Sequence, residues 1–158
     1  MIIGILGFQG GVADHIYMLR RIFRERNING EIRIVKKIDD LKDLDGIIIP
    51  GGESTTIGVL ARRMNLIDEL RERILNGLPA LGICAGAIMM SKKAYDRVVG
   101  EVKQPLLSVM DIEIVRNYFG RQRESFEIDL EIPLLGDKPF RGVFIRAPAI
   151  TKVGNNVE

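Results

Sequence analysis

Cysteine and histidine are the scarcest reactive residues in this sequence, one of each in 158 positions. A single cysteine excludes an internal disulfide and a thiolate-based metal centre. No metal or cofactor is expected, and a single cysteine makes a reducing cytoplasm the natural setting. An excess of charge is also lacking. Lysine plus arginine number 23 against 21 acidic residues, a net charge of +2. No basic cluster interleaves with aromatic residues, which argues against a nucleic-acid surface as the main function. Long hydrophobic runs are missing too. The first apolar stretch, Met1-Ile2-Ile3-Gly4-Ile5-Leu6-Gly7, has no basic segment before it and is too short to span a membrane. No repeat, low-complexity tract or linker interrupts the chain, so residues 1–158 read as one domain.

What is present is an alternation of apolar β-rich runs with amphipathic stretches. Ile2–Phe8 reads as a strand buried on both faces. Gly10-Gly11 break it, and Val12–Arg26 follows as a helix with Ile16, Leu19, Ile22 and Phe23 at helical spacing. Glu31–Val35 and Asp45–Pro50 read as strands. Ser54-Thr55-Thr56 can cap a helix running to Arg63, and Leu66–Leu75 continues as another, closed by Asn76-Gly77. Pro79–Ile83 reads as a strand and Ala85–Ala94 as a helix. The second half changes character: Met110–Arg116, Phe126–Ile132 and Gly142–Ile145 read as strands without long helices between them. This order predicts an α/β fold, a mostly parallel sheet covered by helices on both sides, with an antiparallel extension.

In open α/β sheets, ligands bind at the carboxyl ends of the strands. Three loops fall there. Gly7-Phe8-Gln9-Gly10-Gly11 is glycine-dense but is not G-x-G-x-x-G, and no acidic residue after the second strand could hold a ribose. It reads as a tight strand-to-helix turn. Pro50-Gly51-Gly52-Glu53-Ser54 puts two glycines directly after a buried strand, where backbone N–H groups can hold an oxyanion. An exposed Glu53 is more than a plain βα loop requires. Ile83-Cys84-Ala85-Gly86 has the strand, nucleophile and small-residue order of a nucleophile elbow. A helix start there lowers a thiol pKa, and the Ala85 N–H would face a developing oxyanion. Taken alone, a lone cysteine in apolar surroundings is more often inert. A thiol nucleophile also needs a base. The one histidine, His15, sits on the first predicted helix, far along the fold from Cys84.

Gly51-Gly52-Glu53-Ser54-Thr55-Thr56 together with Gly82-Ile83-Cys84-Ala85-Gly86 resembles the class I (triad) glutamine amidotransferases. Four further segments resemble the glutaminase subunits of pyridoxal 5′-phosphate synthase within that class. They are Gly4–Gly10, Arg116-Asn117-Tyr118-Phe119-Gly120-Arg121-Gln122, Ser125-Phe126-Glu127, and Gly142-Val143-Phe144-Ile145-Arg146-Ala147-Pro148. The resemblance implies a three-layer α/β/α sandwich, flavodoxin-like, with a mixed, mostly parallel sheet. It implies hydrolysis of L-glutamine to glutamate and ammonia, the ammonia being channelled to a partner synthase subunit. By the same resemblance, Cys84 is the nucleophile and Gly52, Glu53 and Ser54 bind glutamine. Arg116, Ile145 and Arg146 contact the substrate, and Gly52 and Ala85 form the oxyanion hole. Gln9, Gly10 and His15 face the synthase. Without the motifs, Arg116 and Arg146 would read as solvated charges at strand ends.

Two departures from the family pattern stand out. Ile83 occupies a position that the family usually gives to threonine. The family's His-x-Glu motif does not occur before Asn155-Asn156-Val157-Glu158, so the chain reads as a glutaminase domain without its last strands and closing helix. The alternatives are a non-catalytic subunit that binds the synthase, and another cysteine-elbow α/β protein of protease or deglycase type.

Overall fold

The computed structural model describes residues 1–158. Four strands make a wholly parallel sheet in the order β2-β1-β3-β4, with β1 Ile2–Leu6, β2 Glu31–Val35, β3 Gly46–Ile49 and β4 Ala80–Gly82. Successive side chains on a strand point to opposite faces. Ile5 and Leu6 are both buried, so β1 is covered on both sides, as its unbroken apolar run requires. Helix α1 (Val12–Glu25) packs over β1 and β2 and buries Phe23. Ile22, expected on the same apolar face, is 41% exposed. Leu6, Ile47 and Ile49 join the main core with Ile57 and Ala61 of α2 (Ser54–Arg63), Leu66 and Leu70 of α3 (Leu66–Leu75), and Met89 of α4 (Ala85–Met90).

The second half is not a lateral extension of that sheet. β5 (Ser91–Asp96), β6 (Gly100–Glu101), β7 (Met110–Arg116) and β10 (Ala149–Val153) form a separate mixed sheet in the order β10-β7-β5-β6. β5 runs parallel to β7, and β6 and β10 are antiparallel to their neighbours. A small second core of Ile88, Ala94, Ile112 and Ile114 ties this sheet to α4. β8 (Phe126–Leu130) and β9 (Phe140–Phe144) pair antiparallel by themselves, with Phe126 and Phe144 stacked at 4.8 Å.

The helix read over Ala85–Ala94 is shorter in the structure, and its last four residues are strand. Ser91 breaks it. Its backbone is extended (φ −66°, ψ 155°), and its hydroxyl donates to the Ile88 carbonyl at 2.8 Å, so the helix ends on a side-chain bond. The following residues then gain more by pairing with β7 and burying Ala94 against Ile112 and Ile114.

Candidate active site

The loops that follow β1, β3 and β4 converge at the carboxyl edge of the parallel sheet. Two contacts lock the first two together. Gly11 N–H donates to the Gly51 carbonyl at 3.0 Å, and Glu53 N–H donates to Gln9 Oε1 at 2.7 Å. Gly10 sits at φ +98°, and a side chain there would run into the Gly51 carbonyl, so this crossing needs glycine.

The third loop is a strained elbow. Cys84 has φ 51° and ψ −103°, a conformation that a non-glycine residue rarely holds. It is fixed from both sides. Ile83 N–H donates to the Ile49 carbonyl of β3 at 3.1 Å, and Gly86 N–H closes back on the Ile83 carbonyl at 2.8 Å. Neither Gly82 nor Gly86 has room for a Cβ: one on Gly82 would run into the Gly86 carbonyl and the Met90 sulfur, and one on Gly86 into the Ile49 carbonyl. Gly51 lies directly beside the elbow: a Cβ built on it would sit 3.5 Å from that of Cys84. Neither Gly51 nor Gly52 donates its N–H to another backbone group.

A cavity of about 290 Å³ opens over this elbow, at the small end of ligand pockets. Its wall gathers Cys84, Gly52, Glu53, Ser54, Arg116, Ile145 and Arg146, the whole predicted substrate-contacting set. These residues come from the β3–α2 loop, the β4–α4 elbow, the end of β7 and the segment between β9 and β10. The pocket therefore lies where the two four-stranded sheets meet. Ala85, the other predicted oxyanion donor, is buried at the start of α4, directly after Cys84.

Of the residues predicted to face a partner, Gly10 is exposed and His15 half-buried on α1. Gln9 also forms part of the pocket wall, and its amide oxygen holds the Glu53 N–H. His15 does not line the pocket. Three lining residues were not anticipated individually: Ile88, Asn117 and Gln122. The last two lie within the Arg116–Gln122 motif, which folds back on itself through Asn117 at φ 52° and Gly120 at φ 90°. The turn-forming Asn and Gly spaced three apart were the available signal.

The electrostatics are mixed, as a zwitterionic ligand would need. Arg146 reaches Glu53 at 3.4 Å across the mouth of the pocket. Arg116 is held from several directions: Nε donates to Asp96 at 3.3 Å, and a terminal nitrogen donates to Thr55 Oγ1 at 3.0 Å. The Val98 N–H and then Arg116 hold the Asp96 carboxyl below its ordinary range, so it stays charged opposite the guanidinium. The Cys84 thiol behaves otherwise than the sequence suggested. Burial pushes its pKa up; the Ala85 N–H and Arg146 pull it back in part, and Glu53 raises it further. A six-residue helix behind a half-buried sulfur does not outweigh the desolvation of a thiolate.

An α/β sheet carrying a strained cysteine elbow over a small polar pocket defines a cysteine-elbow α/β protein. The chain belongs to the SNO glutamine amidotransferase family, whose profile matches residues 5–158. It is similar to the pyridoxal 5′-phosphate synthase subunit PdxT of Staphylothermus marinus, 66% identical over 152 residues, which cover 96% of this chain and 74% of the relative. The protein of the same name from Aeropyrum pernix is 65% identical over 151 residues, again 96% of this chain and 74% of the relative. Among solved structures, one described as a glutamine amidotransferase superposes on the whole chain and 78% of its own length, with a TM-score of 0.82 and 42% identity. A peptidase E-like protein from Listeria monocytogenes shares the fold alone, with a TM-score of 0.52 and 13% identity over 70% of this chain and 63% of that one.

Proposed function

We propose that this chain is the glutaminase subunit of a pyridoxal 5′-phosphate synthase. It hydrolyses L-glutamine to L-glutamate and ammonia, and the ammonia passes to a synthase subunit bound to it. The observation that carries this reading is the single small pocket that gathers a strained cysteine, one carboxylate and two guanidinium groups. Free glutamine offers matching ends. Arg116 and Arg146 suit its α-carboxylate, Glu53 suits its α-ammonium, and Cys84 is left facing the side-chain amide. No helix of the structure is long and apolar enough to cross a membrane, and a cytoplasmic location belongs to this reading.

In the reaction, the Cys84 sulfur attacks the side-chain carbonyl carbon. The negative charge that gathers on the carbonyl oxygen is met by backbone N–H groups at Gly52 and Ala85. The carbon–nitrogen bond then breaks, and ammonia leaves carrying the proton that the thiol gave up. Water hydrolyses the thioester, releases glutamate and restores the thiol. Because burial holds the thiol protonated, a base has to take its proton as substrate arrives. The family resemblance assigns that task to a His-x-Glu motif, which residues 1–158 do not contain. The synthase docks across Gln9, Gly10 and His15. Gln9, whose side chain already holds the glutamine-binding loop, is the place where docking would reach the pocket.

Glutamate release from glutamine by the full chain assembled with its synthase subunit tests this. The reading requires release that Cys84→Ala abolishes. If wild-type complex and Cys84→Ala complex release glutamate equally, the enzyme assignment is lost. Stable binding to the synthase with no glutamate from either would leave a docking subunit instead.

A further inference from the structure

We propose that Gln104 is a positioning residue that presets Arg116 and Ser54 for glutamine. The proposal rests on the glutaminase reading. Gln104 lies between β6 and β7, outside every motif quoted above and outside the lining of the pocket. Its amide oxygen nevertheless receives three donors: Thr55 Oγ1 at 2.8 Å, Ser54 Oγ at 3.3 Å and a terminal nitrogen of Arg116 at 3.4 Å. The same Arg116 nitrogen also donates to Thr55 Oγ1 at 3.0 Å, which closes a triangle of Arg116, Thr55 and Gln104. A guanidinium has no acceptor, so the oxygen of the Gln104 amide, and not its nitrogen, must face Arg116.

Two features separate this from ordinary surface bonding. First, the network crosses between the two sheets. Ser54 and Thr55 open α2 behind the parallel sheet, whereas Arg116 ends β7 of the mixed sheet, and Gln104 is the acceptor they share. With Asp96 on its other side, Arg116 is gripped at both Nε and a terminal nitrogen. Its reach into the pocket is thereby set before any ligand arrives, which spares the ordering cost of a long side chain on binding. Second, the Gln104 Nε2 is buried with no hydrogen-bond partner. An unpaired buried amide nitrogen costs free energy. A glutamine selected for stability alone would be better replaced by an apolar side chain, so its use lies in the oxygen.

The test is steady-state kinetics on the full chain assembled with its synthase subunit, for wild type, Gln104→Met, Gln104→Glu and Thr55→Val. Methionine keeps the shape and removes the acceptor. Glutamate keeps the acceptor and adds charge opposite Arg116. Gln104→Met is expected to raise the KM for glutamine by about tenfold or more, the scale of a lost bond to a charged group. Its kcat should stay within about threefold, because no reacting atom is touched. Gln104→Glu should return KM to near wild type, and Thr55→Val should raise KM in the same direction as Gln104→Met. An unchanged KM in Gln104→Met, a Gln104→Glu as impaired as Gln104→Met, or a Thr55→Val identical to wild type overturns the proposal. Should Gln104→Met not fold, the Thr55→Val result decides alone. Wild-type complex that turns over no glutamine defeats the glutaminase reading and this proposal together. A wild-type complex that turns over glutamine, with the same KM in Gln104→Met, defeats this one only.

Discussion

At the scale of single residues, the sulfur of Cys84 is governed by opposing contributions that can be moved separately. Burial and Glu53 raise its pKa, and the Ala85 N–H and Arg146 lower it. Less thiolate is therefore present at neutral pH than on a free cysteine, and alkylation by iodoacetamide should still be climbing as pH rises above the ordinary thiol range. Glu53→Gln removes a charge that disfavours the thiolate, so alkylation at fixed pH becomes faster. Arg146→Gln removes one that favours it, so alkylation becomes slower. Each change is roughly two- to fivefold, the size of a partly exposed charge interaction. Stopped-flow alkylation across pH checks the signs, and equal rates in both variants would contradict them. Much of this site was legible in the sequence because βα loops carry their chemistry in short runs: Gly52-Glu53-Ser54 and Cys84-Ala85 need no distant partner to be noticed. The raised thiol pKa was not legible, because it comes from burial, which depends on what packs around the sulfur. The roles of Asn117 and Gln122 depend on two positive-φ residues that fold the segment back.

At the scale of elements, the bounds read from the sequence agree with the structure where local signals and packing point the same way. Glu31–Val35, Leu66–Leu75 and Met110–Arg116 have the bounds that the sequence predicts. Helix α2 ends at Arg63 as expected, but Ser54 and Thr55 do not cap it: both lie within the helix after Glu53, and their hydroxyls go to Gln104 instead of the backbone. The reading failed where tertiary pairing overrides local preference. Lys92–Ala94 has helical composition but lies in β5 because β7 offers a parallel partner. β10 was not read as a strand, for four of its five residues are exposed and it pairs only along one edge, to β7. The junction between β3 and α4 is the element contact on which the elbow depends. A Cβ on Gly86 would run into the Ile49 carbonyl and come within 3.2 Å of the Ile49 Cβ. Neither the carbonyl nor the strand can move aside easily. Gly86→Ala should therefore cost about 1–3 kcal/mol in urea unfolding, the usual price of overpacking, and shift the Cys84 alkylation rate. Wild-type stability together with wild-type alkylation would show that the elbow does not rest on this contact.

At the scale of the whole molecule, the site belongs to neither sheet alone. The parallel sheet brings the cysteine and the glycine loop; the mixed sheet and the segment before β10 bring Arg116, Ile145 and Arg146. The alternation of strands and helices made the first sheet readable as a unit. The division into two sheets was not readable, since hydrophobic pattern sets which face of a strand is buried but not which strand lies beside it. Membership of the SNO glutamine amidotransferase family and the identity to PdxT proteins extend through both halves, as a site shared between them requires. The central claim is that this shared pocket presents the side-chain amide of glutamine to Cys84. Treatment with diazo-oxo-norleucine, a glutamine analogue with an electrophilic side chain, followed by peptide mass spectrometry tests it most directly in the synthase-bound full chain. The account predicts one adduct, on Cys84, suppressed by excess glutamine and absent from Cys84→Ala. No adduct, or an adduct that excess glutamine leaves undiminished, would contradict it.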